Sequence, residues 1–250
     1  MPSPASFDHP APVGILAGMG PAAGVDFARL FLQACESCLR EAGRPVDDQA
    51  YPEHWLAQLP VADRTAALRD PQAPQPLDGM ARGLRQFQSL GVRAAAIACN
   101  TAHAWHGALR QAAPGLELLH IAHETVAELA RAGHGRAVLL ATRGTYDTGL
   151  YDQAFADLGM DCVLPDEADK ERLMQGIYAG VKAGRMDLAQ ACFVQVCSAL
   201  RERCGDIPLV MACTEIPLVL PFAPEAAGWT LIDPATSLAM ALARQAYGLD

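Results

Sequence analysis

The sequence predicts an α/β protein of two similar lobes. Each lobe is expected to be a mainly parallel sheet flanked by helices, the two related by a pseudo-two-fold, with the active site in the cleft between them. Three observations lead there. Short apolar runs alternate with helix-like segments along the 250 residues, the order that builds βαβ units and parallel sheets. A helix ending in Gly runs into a buried strand and then a cysteine loop at SLGVRAAAIACNT, and again at RCGDIPLVMACTE. The two cysteines, Cys99 and Cys213, lie nearly half a chain apart. Each lobe would then offer one thiol at the carboxyl end of a strand, where ligands of open α/β sheets bind.

The elements follow in order. MPSPASFDHPAP (1–12) reads as a flexible Pro-rich tail, without the basic and apolar regions of a secretory signal. VGILAG (13–18) is a strand and PAAGVDFARLFLQACESCLREAG a helix. HWLAQLP (54–60) is a second strand and DPQAPQP (70–76) a loop. MARGLRQFQSLG is a helix stopped by Gly91, VRAAAIA a buried strand, and TAHAWHGALRQAAPG another helix. ELLHIA (117–122) is expected to open a second series, with HETVAELARAGHG a helix, RAVLLAT a strand and TGLYDQAFADLGM a helix. CVLPD is a short strand, and KERLMQGIYAGVKAG and MDLAQACFVQVCSALRERCG are helices. IPLVMA and WTLID are strands, and ATSLAMALARQAYG is the last helix. The expected division is 13–117 plus 226–250 for a first lobe carrying Cys99, and 118–225 for a second carrying Cys213.

Composition bounds the function. Hydrophobic residues make up 51% and charged residues 19%, as in a globular chain. The net charge is −9, with no Lys/Arg run, which argues against a nucleic-acid or anionic-membrane partner. No apolar run reaches the roughly 18 residues that span a bilayer, so a cytoplasmic protein is expected. Eight scattered cysteines suit reduced thiols. Cys35 and Cys38 form a CxxC inside a helical pattern with no second ligand pair, so packing is favoured over zinc, and no metal is expected.

Cys99 alone could be a core residue, a metal ligand, a nucleophile or a base. Asn100 and Thr101 after it suit a strand-to-helix turn, and a helix N-terminus lowers a thiol's pKa from about 8.5. Cys213, Thr214 and Glu215 repeat the arrangement. A single active cysteine would want a histidine base, for which His103 is the nearby candidate. Two equivalent cysteines suit a different chemistry. One thiolate removes a proton from carbon and the other thiol delivers one to the opposite face, which inverts a stereocentre by acid–base catalysis.

GILAGMGP, ADRT (62–65), CNTAH (99–103), LLATRGTY (139–146), GIYAGVKAG (176–184), CTE (213–215) and LIDP (231–234) together resemble the aspartate racemase branch of the aspartate/glutamate racemase superfamily. The resemblance runs in order over nearly the whole chain from Val13. It implies a pyridoxal-independent racemase without cofactor, an amino acid as small-molecule substrate, a Cys99/Cys213 acid–base pair, and a homodimer. It assigns substrate carboxylate binding to Arg64 and Lys182, which favours a dicarboxylic amino acid, and aspartate is the substrate expected. It places Asn100, Thr101, Thr142 and Thr214 as further substrate binders, with Met19, Gly20, His103 and Glu215 in support. Read locally, Arg64 is equally an exposed loop charge, and Lys182 a last-turn cation before Gly184. Gly24 stands where the family commonly has Thr, and Ala62 where it has Pro.

Alternatives stay open. The substrate could be glutamate or another amino acid, or the chain a non-catalytic amino-acid binder. A decarboxylase of the same superfamily is expected to use one cysteine, not two. Gly18, Gly20 and Ala23 fit a dinucleotide-binding turn, but no acidic residue closes the next strand.

Overall fold

The computed structural model describes residues 5–249. The described residues form two compact units, one within 5–124 and 235–249 and the other within 125–234. The first sheet is built from β1 (Val13–Ala17), β2 (His54–Gln58), β3 (Ala94–Ile97) and β4 (Glu117–Leu118) in the order β2-β1-β3-β4. The second is built from β5 (Arg136–Ala141), β6 (Asp161–Val163), β7 (Leu209–Ala212) and β8 (Leu231–Ile232) in the order β6-β5-β7-β8. Every pair is parallel. The two sheets therefore repeat one strand order. In each, the chain steps to one side of the first strand and then to the other. That makes the carboxyl ends of β1 and β3, and of β5 and β7, the switch points at which α/β proteins bind ligands.

Period-two alternation sets the core of the first unit. Val13, Ile15, Ala17, Ala94, Ala96 and Ala98 face one cluster, with Phe27 and Phe31 of α1 (Pro21–Glu41) and Leu238 and Leu242 of α10 (Pro234–Tyr247). Leu16, Ala95, Ile97 and Cys99 face the other, with Met80, Leu84 and Phe87 of α3 (Leu77–Ser89) and Leu109 of α4 (His106–Ala112). Pro21 at the first turn starts α1. Cys35 and Cys38 lie on its buried stripe, and burial pushes the Cys35 thiol up to about 12. They are packing residues, and among the described residues no group of His, Cys, Asp or Glu could hold a metal ion.

In the second unit, Val138, Leu140, Leu209, Met211 and Cys213 face α8 (Glu167–Met174) and α9 (Met186–Cys204). The single helix expected over KERLMQGIYAGVKAG divides. After α8 comes a π-helical stretch, Gln175–Gly180, and then a 3-10 turn, Val181–Ala183, closed by Gly184 at φ 73°. Gly176 and Gly180 make this possible. A Cβ on them would stand 2.5 Å from the Phe193 ring and 2.8 Å from Ala189 of α9.

Other expectations need correction. ELLHIA does not open the second series, because β4 pairs with β3 at the edge of the first sheet. WTLID does not belong to the first lobe, because β8 pairs with β7. The boundaries fall accordingly near 124 and 234 rather than 117 and 225. Residues 1–4 of the expected tail lie outside the described residues. From Ala5 on, the segment is anchored. Phe7 stacks on Tyr247 at 4.9 Å, and Ala11 donates to Ala246 O. TAHAWHGALRQAAPG is a 3-10 turn (Thr101–Trp105) followed by α4, and in TGLYDQAFADLGM only α7 (Asp152–Asp157) is helical, after a turn that follows α6 (Arg143–Asp147). No helix among the described residues is long and apolar enough to cross a membrane.

Candidate active site

In the first unit the loops after β1 and β3 carry the candidates. Ala98 makes the last ladder bond, to Leu16 O, and Cys99 then folds back with its N–H on Ile97 O at 2.8 Å. Cys99, Asn100, Thr101 and His103 are all buried. Asn100 is helical and makes no side-chain cap, so its expected capping role is not met. The ADRT stretch is not an exposed loop. Asp63 caps α2 (Arg64–Arg69) by accepting from Ala66 N at 2.8 Å. Arg64 is 8% exposed and donates to Met19 O at 2.7 Å and Ala62 O at 2.9 Å. It thereby ties the loop after β1 to that after β2. Met19 is buried beside Cys99 in the same apolar cluster, and Gly20 starts α1.

In the second unit the loops after β5 and β7 do the same. Thr142 caps α6, its Oγ1 accepting from Thr145 N at 3.3 Å. No α-helix starts after Cys213, so the expected helix N-terminus at this thiol is absent. A carboxylate takes its place. Cys213 Sγ donates to Glu215 Oε2 at 3.0 Å, and Thr214 Oγ1 donates to the same oxygen at 3.3 Å. Lys182 Nζ holds the other oxygen, Glu215 Oε1, at 2.9 Å. Burial first, and then the Glu215 charge, push the Cys213 thiol well above its ordinary range. This thiol is therefore protonated at neutral pH, the opposite of the lowering expected from the sequence.

The structure thus brings Lys182, Cys213, Thr214 and Glu215 together in one unit, and Cys99, Asn100 and Thr101 onto one loop of the other, with α2 packed beside it. Two tyrosines went unremarked in the sequence. Tyr146, in LLATRGTY, donates to Leu139 O at 2.9 Å and accepts from Ala141 N at 2.8 Å, so it braces the end of β5. Tyr178 sets its ring 5.5 Å from Lys182 Nζ. Its spacing of four from Lys182, one helical turn, was the available signal. A second unremarked feature is a cluster of His103, His106, His120 and His123, with successive ring centroids 4.3–6.0 Å apart. HAWH and HIAH carry it as two i, i+3 pairs.

Chemically, the β7 loop holds a protonated acid and a carboxylate able to take that proton, and Lys182 of the 3-10 turn Val181–Ala183 supplies an ammonium that holds the carboxylate. The β3 loop holds a thiol among neutral polar groups. Comparison with known proteins gives a consistent set of relatives. The family model described as Asp/Glu/Hydantoin racemase matches residues 16–242. The broad specificity amino-acid racemase RacX of Bacillus subtilis (strain 168) is 28% identical over 211 residues, covering 83% of this chain and 87% of the relative. The aspartate racemase of Picrophilus torridus superposes with a TM-score of 0.79 at 26% identity over 94% of each chain. Glutamate racemase isoform RacE1 of Bacillus anthracis shares the fold, with a TM-score of 0.61 at 17% identity over 96% of this chain and 84% of that one.

Proposed function

The chain belongs to the Asp/Glu/hydantoin racemase family, and from that membership we propose a cofactor-independent racemase that interconverts L- and D-aspartate through Cys99 and Cys213. One observation carries the reading. Each sheet ends its third strand in a cysteine loop at the same switch point, and one of these thiols already donates to a buried carboxylate held by Lys182. The proposed step breaks the Cα–H bond as one sulfur takes the proton. The other sulfur's S–H bond then breaks as its proton goes to the opposite face of the carbanion. Cys213, resting as the thiol, is the donor for one enantiomer. For the other it must first lose its proton, and Glu215 is the acceptor within reach. An ammonium has three donors, so Lys182 can hold Glu215 and also meet a substrate carboxylate. Drawing Lys182 toward the substrate would make Glu215 a stronger base when Cys213 needs one.

Aspartate is favoured by the two cations, Arg64 and Lys182, and by the likeness to the Picrophilus enzyme. A second reading is relaxed side-chain selectivity, as the name of the Bacillus subtilis relative suggests. The observation in its favour is that Arg64 already serves two carbonyls and Lys182 a carboxylate. The same reading carries a cytoplasmic homodimer, which light scattering and cell fractionation check. The functional test is incubation of L-aspartate, L-glutamate and a neutral panel in D2O with chiral analysis. Inversion with α-deuterium uptake is expected, fastest on aspartate, and each of Cys99→Ala and Cys213→Ala should lower it by at least about 100-fold. No inversion on any substrate refutes the racemase, and a fully active alanine variant refutes the thiol pair.

A further inference from the structure

Cys99 is held by its backbone. Past Ala98 the ladder ends, and the Cys99 carbonyl has no strand to meet. His103 Nδ1 reaches it at 2.9 Å. A carbonyl only accepts, so Nδ1 carries the hydrogen, and a second hydrogen on Nε2 would leave a buried charge unpaired, which favours the neutral ring with Nε2 bare. That Nε2 is buried and makes no hydrogen bond, on a residue only 2% exposed. The surroundings select this form. His106 lies 6.0 Å away and spends its Nε2–H on Leu118 O at 2.9 Å. His120 lies 5.3 Å away with its Nδ1 buried and unpartnered, and His123 stacks on it at 4.3 Å toward solvent. Arg110 and Glu117, of opposite sign and both exposed, face His106, and Glu124 follows His123 in the first turn of the next helix.

We propose that His103 is a positioning residue for Cys99: as a neutral ring it donates through Nδ1 to the Cys99 carbonyl and so aims the thiol, and the histidine cluster around it keeps it neutral. The proposal rests on the racemase reading only for its kinetic readout. The donor, not the ring, is the working part. Asn places its amide nitrogen where Nδ1 stands, whereas Gln, one carbon longer, places it nearer Nε2.

The test compares His103→Asn, His103→Gln and His103→Leu for kcat and KM. A second readout is the rate at which iodoacetamide alkylates Cys99 relative to Cys213, followed by peptide mass spectrometry. His103→Leu and His103→Gln should lower kcat about tenfold, the worth of one lost hydrogen bond, with KM within about twofold. His103→Asn should recover most of that loss. The Cys99-to-Cys213 alkylation ratio should change severalfold in the Leu and Gln variants and return toward wild type in Asn. Gln rescuing as well as Asn overturns the proposal, as does an unchanged ratio in both Leu and Gln. If no variant and no wild type racemises any substrate, the racemase reading has failed, and the alkylation ratio still decides His103. If His103→Leu does not fold, the Asn and Gln pair carries the comparison.

Discussion

Acidification should destabilise the first unit in a way that one substitution removes. Burial is the main force on His103, with the facing His106 adding to it, and its pKa falls from 6.5 to about 4. In the unfolded chain the same ring takes a proton near 6.5. Above that pH neither state is protonated and His103 costs nothing. As pH falls below 6.5 the unfolded state gains a proton that the folded state refuses, so stability drops until about pH 4 and levels off. At about 1.36 kcal/mol per pH unit the full gap is worth about 3.4 kcal/mol, of which about 2 kcal/mol has been lost by pH 5. His120, lowered to about 3 chiefly by burial, acts in the same direction. His103→Asn keeps the donor to Cys99 but removes the titration. Urea unfolding at pH 7.5 and pH 5.0 should therefore show the variant losing about 2 kcal/mol less than wild type. By the usual scaling its midpoint temperature falls by about 4–8 °C less. His120 contributes to both proteins alike, because His103 is uncharged over this range. An equal acid loss in the two proteins would refute the buried, neutral state of His103.

Two further outcomes follow from the same geometry. Glu215→Gln removes the acceptor for the Cys213 proton and should slow racemisation about 100-fold. Because the equilibrium constant of a racemisation is unity, kcat/KM must fall equally for both enantiomers. The asymmetry appears instead in the α-deuterium isotope effect, large for the enantiomer that Cys213 deprotonates and suppressed for the other. Equal effects on both would remove Glu215 from that step. Gly14→Ala puts a Cβ 2.6 Å from the Phe87 ring in the core of the first unit, and should cost about 1–3 kcal/mol by chemical denaturation. A neutral result would mean that α3 can shift freely off β1.

What the sequence made legible is what local pattern controls. VRAAAIA and IPLVMA are apolar enough to be buried strands wherever they pair, so Cys99 and Cys213 had to emerge at strand ends. β4 and β8 are two residues each, and nothing local in ELLHIA or WTLID says which sheet they join. Their partners lie about twenty residues away in sequence, and only pairing decides. Arg64 misleads for the same reason. ADRT is polar and reads as a loop, but the Met19 carbonyl that buries it comes from 45 residues earlier. The helix expected over KERLMQGIYAGVKAG has the right apolar spacing, yet Gly176 and Gly180 let α9 approach so closely that the turn widens.

The sharpest limit concerns the thiols themselves. CNTAH and CTE look like repeats, and the shared strand order makes their positions equivalent. Their surroundings are not. Burial, and then the facing carboxylate of Glu215, raise the pKa of Cys213, and an ammonium holds that carboxylate. Cys99 sits on a loop whose carbonyl is held by the buried imidazole of His103, within a cluster of histidines. Glu215 is two residues from its cysteine and Lys182 about thirty, so half of this contrast is tertiary and invisible to spacing. A fold built by repetition thus supplies two matched sulfur positions. The neighbours that differ supply what repetition cannot: Cys213 rests as an acid hydrogen-bonded to its own proton acceptor. A racemase working on two mirror-image substrates requires its two halves to trade roles, and the Lys182–Glu215 pair is where this chain would make that trade possible.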